Sequence, residues 1–244
     1  MVSGNLSIFF QALQRPCWVD VRWLGRAPVL VLLAAVVGCA SPQSPPPDEK
    51  TGKRELGNWN FETGDFTGWR TRSTGNGAWH VYEDGARPPD PTDTDPNYPF
   101  KVPEPPEGRF AAVTDMRAPG TRILYRDVEL DGRFKLSFTV FYESHEVRFS
   151  SPANLDQNHP EPNLQFRVDL IDPAARLDSL AAKDVLATIF RTAPGDPGKL
   201  EPRTLSFDLS RWAGQKVRLR FAQVDNRGPL RAGVDDVRLE AVGG

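Results

Sequence analysis

The sequence has few cysteines, few histidines and almost no excess of charge of either sign. Its 244 residues include two cysteines and three histidines, and the formal net charge is −2. Two cysteines cannot build a disulfide-rich scaffold. The near-neutral charge, with no basic cluster among aromatics, argues against a nucleic-acid interface. Neither a zinc-binding spacing, a nucleophile elbow nor a phosphate-binding glycine loop is present. We therefore predict that the protein is not an enzyme.

Long hydrophobic runs are also scarce, and the one present lies near the front, at Ala27–Ala40. Its uninterrupted apolar part is too short to span a bilayer as a helix. Preceded by Arg22 and Arg26, it has the form of a signal-peptide core. It ends in "VVGC" at Cys39, which resembles the lipobox of bacterial lipoproteins. That resemblance implies that Cys39 is lipidated and anchors the chain to a membrane; an ordinary signal peptide with a chance cysteine is the alternative.

The sequence divides into three parts. Residues 1–38 are predicted to be a lipoprotein signal peptide, 39–54 the lipidated cysteine and a linker, and 55–244 a single domain. The linker, "SPQSPPPDEKTGK", is polar and proline-rich and so favours an extended tether. Ala40, rather than an aspartate, follows the cysteine, which by the same resemblance implies the outer membrane in a Gram-negative organism. With Cys17 in the leader and Cys39 lipidated, the exported domain has no disulfide.

The domain consists of short runs in which apolar and polar residues alternate. The clearest are "RFKLSFTVFY", "LQFRVDLID" and "KVRLRFAQV", and alternation of this kind predicts half-buried strands. Weaker strands are predicted at 78–82, 109–114, 121–130, 185–191, 203–209 and 234–240. About ten short strands separated by turn signals predict an all-β fold, an antiparallel β-sandwich of the jelly-roll type. A short helix is predicted around Asp178–Lys183, and long loops at Glu83–Gly108 and Ser144–Asn163.

Two motifs carry a family resemblance, "NWNFETGDFTGW" at 58–69 and "AGVDDVRLE" at 232–240. They resemble the two ends of bacterial jelly-roll carbohydrate-binding modules and, more broadly, of the galactose-binding-like superfamily. The resemblance implies that the first motif is a first strand and turn. It also implies a structural calcium ion held by Glu62, Asp235 and Asp236, with backbone carbonyls completing the shell. Asp235 shares strand parity with Val237, which favours Asp236 pointing to the other side. Solvated acids at strand ends are the alternative.

The same resemblance implies that exposed aromatic side chains stack on sugar rings. The candidates are Trp59, Tyr82, Tyr98, Phe100 and Tyr142. Trp69 and Trp79 are predicted to be core residues instead. The predicted function is non-catalytic binding of a glycan or another extracellular polymer. Two alternatives stay open: an envelope protein that docks other proteins, and a jelly-roll glycoside hydrolase, which would need two facing carboxylates roughly 5–10 Å apart.

Overall fold

A computed structural model describes residues 57–83, 102–144 and 148–243. The predicted signal peptide, Cys39 and the linker lie outside these residues. Within them there is no helix long and apolar enough to cross a membrane. The strands are β1 Arg70–Gly75, β2 Trp79–Glu83, β3 Phe110–Thr114, β4 Gly120–Glu129, β5 Phe134–Ser144, β6 Leu164–Ile171, β7 Val185–Arg191, β8 Lys199–Asp208, β9 Lys216–Asp225 and β10 Leu230–Ala241.

The strands form two five-stranded sheets, and every pairing is antiparallel. Sheet A has the order β1-β4-β9-β6-β7, and sheet B the order β2-β3-β10-β5-β8. The predicted antiparallel sandwich is confirmed, and the strands predicted from alternation are present with small shifts of their ends. The largest shifts are in β8, which begins at Lys199 rather than Arg203, and in β10, which begins at Leu230 rather than Val234.

The segment 57–69, predicted to contain the first strand, is instead a series of bends and turns. Phe61 and Gly64 both have positive φ, at 65° and 76°, so the backbone turns where a strand would continue. The Asn58 side chain holds these turns, since its amide nitrogen donates to the Asp65 carbonyl at 3.0 Å and its oxygen accepts from the Thr63 N–H at 3.3 Å. The first strand therefore starts only at Arg70.

The helix predicted around Asp178–Lys183 is also wrong. The N–H groups of Asp184 and Val185 both donate to the Ala181 carbonyl, at 2.9 and 3.1 Å. A single turn closes there, and β7 begins at Val185, so no helix has room to form.

The core lies between the sheets and is aromatic. The rings of Phe138 on β5 and Phe221 on β9 meet edge to face, with centroids 5.4 Å apart. The segment 57–69 adds Trp59, Phe61 and Trp69 to this cluster. Stacking of Phe61 on Trp69 and contact of Trp69 with Phe221, at 5.4 and 5.9 Å, join the segment to the sandwich. Trp69 and Trp79 are buried, as predicted.

A β-bulge in β10 changes which side chains face the core. Pairing with β5 shifts register between Asp235 and Arg238, and Asp236 has a φ of 50°. The extra residue puts both Val234 and Val237 in the main core. Asp235 therefore lies on the face opposite both valines, and the parity argument that grouped it with Val237 is wrong.

Candidate functional site

The outer face of sheet A carries a cleft of about 510 Å³, a volume within the usual range for ligand pockets. Its floor comes from β1 and β4, and its two walls are the loops at 154–157 and 176–179. The lining residues are Arg72, Thr74, Thr121, Ile123, Asn154, Leu155, Asp156, Gln157, Arg176, Asp178 and Ser179. Most of these side chains are polar, so the cleft suits a ligand rich in hydrogen-bonding groups. We call it the sheet A cleft.

The floor is set by the register of β1 on β4. Arg72 is paired with Ile123, and Thr74 with Thr121. Directly opposite residues in a sheet point to the same side and lie close together, so these four side chains form one surface. Ile123 is buried in a small apolar cluster that includes Leu155. The floor is thus apolar at Ile123 and Leu155 and polar along β1, where Arg72 and Thr74 lie.

The first wall, residues 154–157, is held by two buried amide side chains at the start of β6. The Asn163 amide nitrogen donates to the Asn154 side-chain oxygen at 3.0 Å and to the Asp156 carbonyl at 3.1 Å. The Gln165 amide nitrogen donates to the Asn154 carbonyl at 2.9 Å. Buried, hydrogen-bonded amides of this kind fix a loop in one conformation.

Gln157 joins this wall to the floor. Its Oε1 lies 2.9 Å from the Thr74 hydroxyl and 2.8 Å from the Thr121 hydroxyl. The Thr121 hydroxyl also lies 2.8 Å from the Leu155 carbonyl, and its single proton serves one of the two acceptors. Hydroxyls of both strands thus hold the Gln157 amide in place.

The second wall, residues 176–179, is held from below by a buried arginine of β9. The Arg220 side chain is 0% exposed, and it donates to the carbonyls of Leu177 at 2.7 Å and Ser179 at 2.9 Å. It also pairs with Asp169 at 2.6 Å. Arg167 binds the same carboxylate through two contacts of 2.7 Å. Burial lowers the pKa of Arg220, and Asp169 opposes that effect.

Two of the charged groups in the cleft neutralise each other. Arg176 donates two hydrogen bonds to Asp178, at 3.0 and 2.9 Å. This pairing lowers the pKa of Asp178, and the charge of Arg72 lowers it further. Asp178 is therefore ionised at neutral pH and is unsuited to donate a proton.

The acids predicted from the two end motifs meet on one short segment of backbone. Glu62 accepts the N–H groups of Arg109 and Phe110, each at 3.0 Å, and Asp235 accepts the N–H of Glu107 at 2.8 Å. A Cβ atom on Gly108 would lie 2.4 Å from the Glu62 carboxylate, so this approach requires glycine. The structure thus brings Glu62 and Asp235 to the segment 107–110, as hydrogen-bond acceptors.

Asp236, the third predicted calcium ligand, is bound to Arg238. Among the described residues, no three His, Cys, Asp or Glu side chains are arranged to hold a metal ion. Burial raises the pKa of Asp235 to about 7, and the negative charges of Glu107 and Asp236 add to the shift. One oxygen of Glu107 is buried without a hydrogen-bond partner. The carboxylate oxygens of Glu62, Asp235 and Asp236 are hard ligands of the kind that calcium prefers. Calcium binding where these acids meet residues 107–110 stays a prediction.

The predicted aromatic platforms are contradicted where the structure describes them. Trp59, Tyr82 and Tyr142 are only 7%, 4% and 3% exposed. Trp59 packs under the Arg126 guanidinium, 4.2 Å from the ring centre, and the Tyr82 hydroxyl donates to the Pro103 carbonyl at 2.9 Å. Tyr142 meets Phe149 edge to face. These rings contribute to packing and cannot stack on a sugar. Tyr98 and Phe100 lie outside the described residues.

The sheet A cleft was not predicted from the sequence. Arg72, Gln157 and Asp178 belong to no motif, and they come from three separate stretches of the chain. The available signal was the run of amides and acids in "NLDQN", Asn154–Asn158, inside a loop already predicted to be unusually long.

No protein-family model and no curated protein matches this chain. Several solved structures are similar in fold. TmCBM61, in complex with β-1,4-galactotriose, is 16% identical with a TM-score of 0.43, over 77% of this chain and 97% of that one. The K1 cleaved adhesin domain of Lys-gingipain from Porphyromonas gingivalis W83 is 13% identical with a TM-score of 0.41, over 75% and 96%. The Stig cyclase Fisc from Fischerella sp. TAU is 17% identical with a TM-score of 0.37, over 72% and 86%. Likenesses this distant assign neither a ligand nor an activity to this chain.

Proposed function

We propose that this protein is an exported, lipid-anchored and non-catalytic glycan-binding protein, and that the glycan binds in the sheet A cleft. The observation that supports this is the lining of the cleft, where hydroxyl, amide, guanidinium and carboxylate groups surround a small apolar floor. Such side chains supply both donors and acceptors. Sugars offer both as well, with apolar ring faces between the hydroxyls.

The construction of the walls supports binding further. Asn163 and Gln165 hold one wall, and Arg220 holds the other, from positions beneath the cleft. A site whose groups are already in place loses little conformational entropy when the ligand arrives. The sheet A cleft is built in this way on both sides.

The charges argue against glycoside hydrolysis in the cleft. That reaction uses a pair of carboxyl groups, one of which stays protonated through a raised pKa. The acids that line the cleft are Asp156 and Asp178, and the pKa of Asp178 is lowered. Burial raises the pKa of Asp225 to about 6 and that of Asp235 to about 7, but neither lines the cleft.

Export and anchoring are supported by the apolar run that ends at Cys39 and by the polar linker after it. In bacteria fractionated after expression, the wild-type protein is expected with the membranes. The Cys39→Ser variant is expected in the soluble, exported fraction instead. If the Cys39→Ser protein still fractionates with membranes, lipidation is not the anchor.

Glycan binding is tested with the full chain, purified in detergent, on a glycan array followed by calorimetry. Thr74→Trp puts a large ring into the cleft, whereas Thr204→Trp places the same ring on an exposed edge strand of sheet B. Both threonines are exposed and hydrogen-bonded through their hydroxyls. We expect Thr74→Trp to abolish binding and Thr204→Trp to preserve it, with the bound oligosaccharide left intact. If the wild-type protein binds no glycan, or if Thr74→Trp does not weaken binding, the proposal is contradicted.

A further inference from the structure

We infer that the β1 edge of the sheet A cleft binds a carboxylate, so that the glycan is an acidic one that contains uronic-acid residues. This inference rests on the proposed function and narrows its ligand. Its basis is the Arg72 guanidinium, a charged donor on the strand floor of the cleft, with the Gln157 amide on the facing loop.

Among the described residues, no carboxylate binds Arg72 directly. The other cation, Arg176, makes a two-point pair with Asp178. Arg72 is exposed, and its one described interaction is the longer-range attraction of Asp178. A guanidinium presents parallel N–H groups that match the two oxygens of a carboxylate. Arg72 is therefore available to form such a pair with a ligand.

Gln157 adds a neutral amide on the loop side. The hydroxyls of Thr74 and Thr121 hold that amide, and Thr74 lies two residues after Arg72 on the same face of β1. Arg72 has only donors and a positive charge, so it favours an anionic acceptor group, and the carboxylate of a uronic acid is a planar group of that kind.

The acids of the cleft do not cancel this preference. Asp178 is matched by Arg176, and Asp156 uses one oxygen to accept the N–H of Asn158 at 2.9 Å within its own loop. The other Asp156 oxygen is left to accept from sugar hydroxyls. The cleft thus has a donor side for a carboxylate and an acceptor side for hydroxyls.

The test measures calorimetric affinity of the full chain in detergent for oligouronate trimers of galacturonate, glucuronate and mannuronate. Each trimer is compared with its carboxyl-reduced neutral partner. We expect at least one oligouronate to bind about tenfold or more tightly than its neutral partner, the effect of one charge-assisted contact. Arg72→Gln should remove that difference. Gln157→Glu should abolish oligouronate binding, because it adds a negative charge to the lining of the cleft.

Arg70→Gln is the matched control. Arg70 lies on the same strand and face, two residues earlier, loses the same charge and does not line the cleft. It should leave the preference for the uronate unchanged. Equal affinity for acid and neutral partners, or equal losses in Arg70→Gln and Arg72→Gln, would overturn the carboxylate site and leave glycan binding intact. Failure of every acidic and neutral glycan would contradict the proposed function itself.

Discussion

The outer faces of the two sheets are built from the same kind of antiparallel strands, but one carries an open cleft and the other is partly covered by a chain segment. On sheet A, two loops stand apart and leave a polar cleft open between them. On sheet B, residues 102–107 lie over part of the face: Val102 packs on a cluster that contains Tyr82 and Phe141, and the Glu107 N–H donates to Asp235. Gly233 belongs to this covered face, since a Cβ there would lie 2.0 Å from the Phe141 ring. The outer face of sheet A is therefore open at the cleft, and that of sheet B is covered at Tyr82, Phe141 and Gly233.

The difference lies in the direction of the hydrogen bonds that hold the covering segments. On sheet A, donors of the strands, above all Arg220, bind loop carbonyls and hold the loops as walls. On sheet B, carboxylates bind backbone N–H groups, with Glu62 on Arg109 and Phe110 and Asp235 on Glu107. Arginine and amide side chains thus hold the loops of sheet A, and carboxylates hold residues 107–110 at sheet B.

The largest expected effect is at the wall of the cleft. Arg220→Met removes a fully buried cation that binds Asp169 and two loop carbonyls, and we expect the free energy of unfolding to fall by about 3–5 kcal/mol. The control is Arg218→Met, two residues away on the same face, whose pair with Asp127 is closer to solvent; about 1 kcal/mol or less is expected there. Urea unfolding measures both. Equal losses would mean that Arg220 has no special part in holding the wall.

A smaller effect is expected at the junction on sheet B. Glu62→Gln removes the charge that accepts two N–H groups, at a cost of about 1–3 kcal/mol. We also predict that calcium raises the melting temperature of the wild-type protein relative to chelator, and that this difference disappears in Glu62→Gln. Thermal unfolding in both buffers checks the prediction.

Glu83→Gln is the control for that experiment. Glu83 binds Arg109 of the same segment through an exposed pair at 2.6 Å and is not a predicted calcium ligand. It should keep the calcium response. Identical melting of the wild-type protein in calcium and in chelator would remove the metal from the junction and leave hydrogen bonds alone to hold residues 107–110.

The strands could be predicted because alternation is a local property of the sequence, as in β5, β6 and β9. The turns of residues 57–69 could not be predicted, since Phe61 adopts a positive φ that is unusual for its residue type. The bulge at Asp236 could not be predicted either, and it changes which residues of β10 share a face. The cleft is a non-local property: Arg72 and Gln157 are far apart in sequence and meet only through the register of β1 on β4 and the hydrogen bonds of Thr74 and Thr121.

The smallest expected effect concerns the partly exposed pair of sheet A. The hydrogen bond from Arg218 lowers the pKa of Asp127 below its ordinary 3.8. A carboxyl group whose pKa is lower in the folded state stabilises the protein at any pH above its unfolded-state pKa. That stabilisation is lost as the pH falls through the folded-state pKa. Asp127→Asn should therefore cost at most about 1 kcal/mol at pH 7, and the cost should shrink as the pH falls below 3.8 and as salt is added.

Glu129→Gln, which breaks a looser pair with Lys216 at 3.8 Å, should cost nothing measurable at pH 7 or in acid. A cost of Asp127→Asn that persists in acid would show that the side chain acts through packing rather than charge. The contrast between Arg218 and Arg220 would then rest on packing as well as charge, because Arg220 also binds two loop carbonyls that Arg218 does not reach.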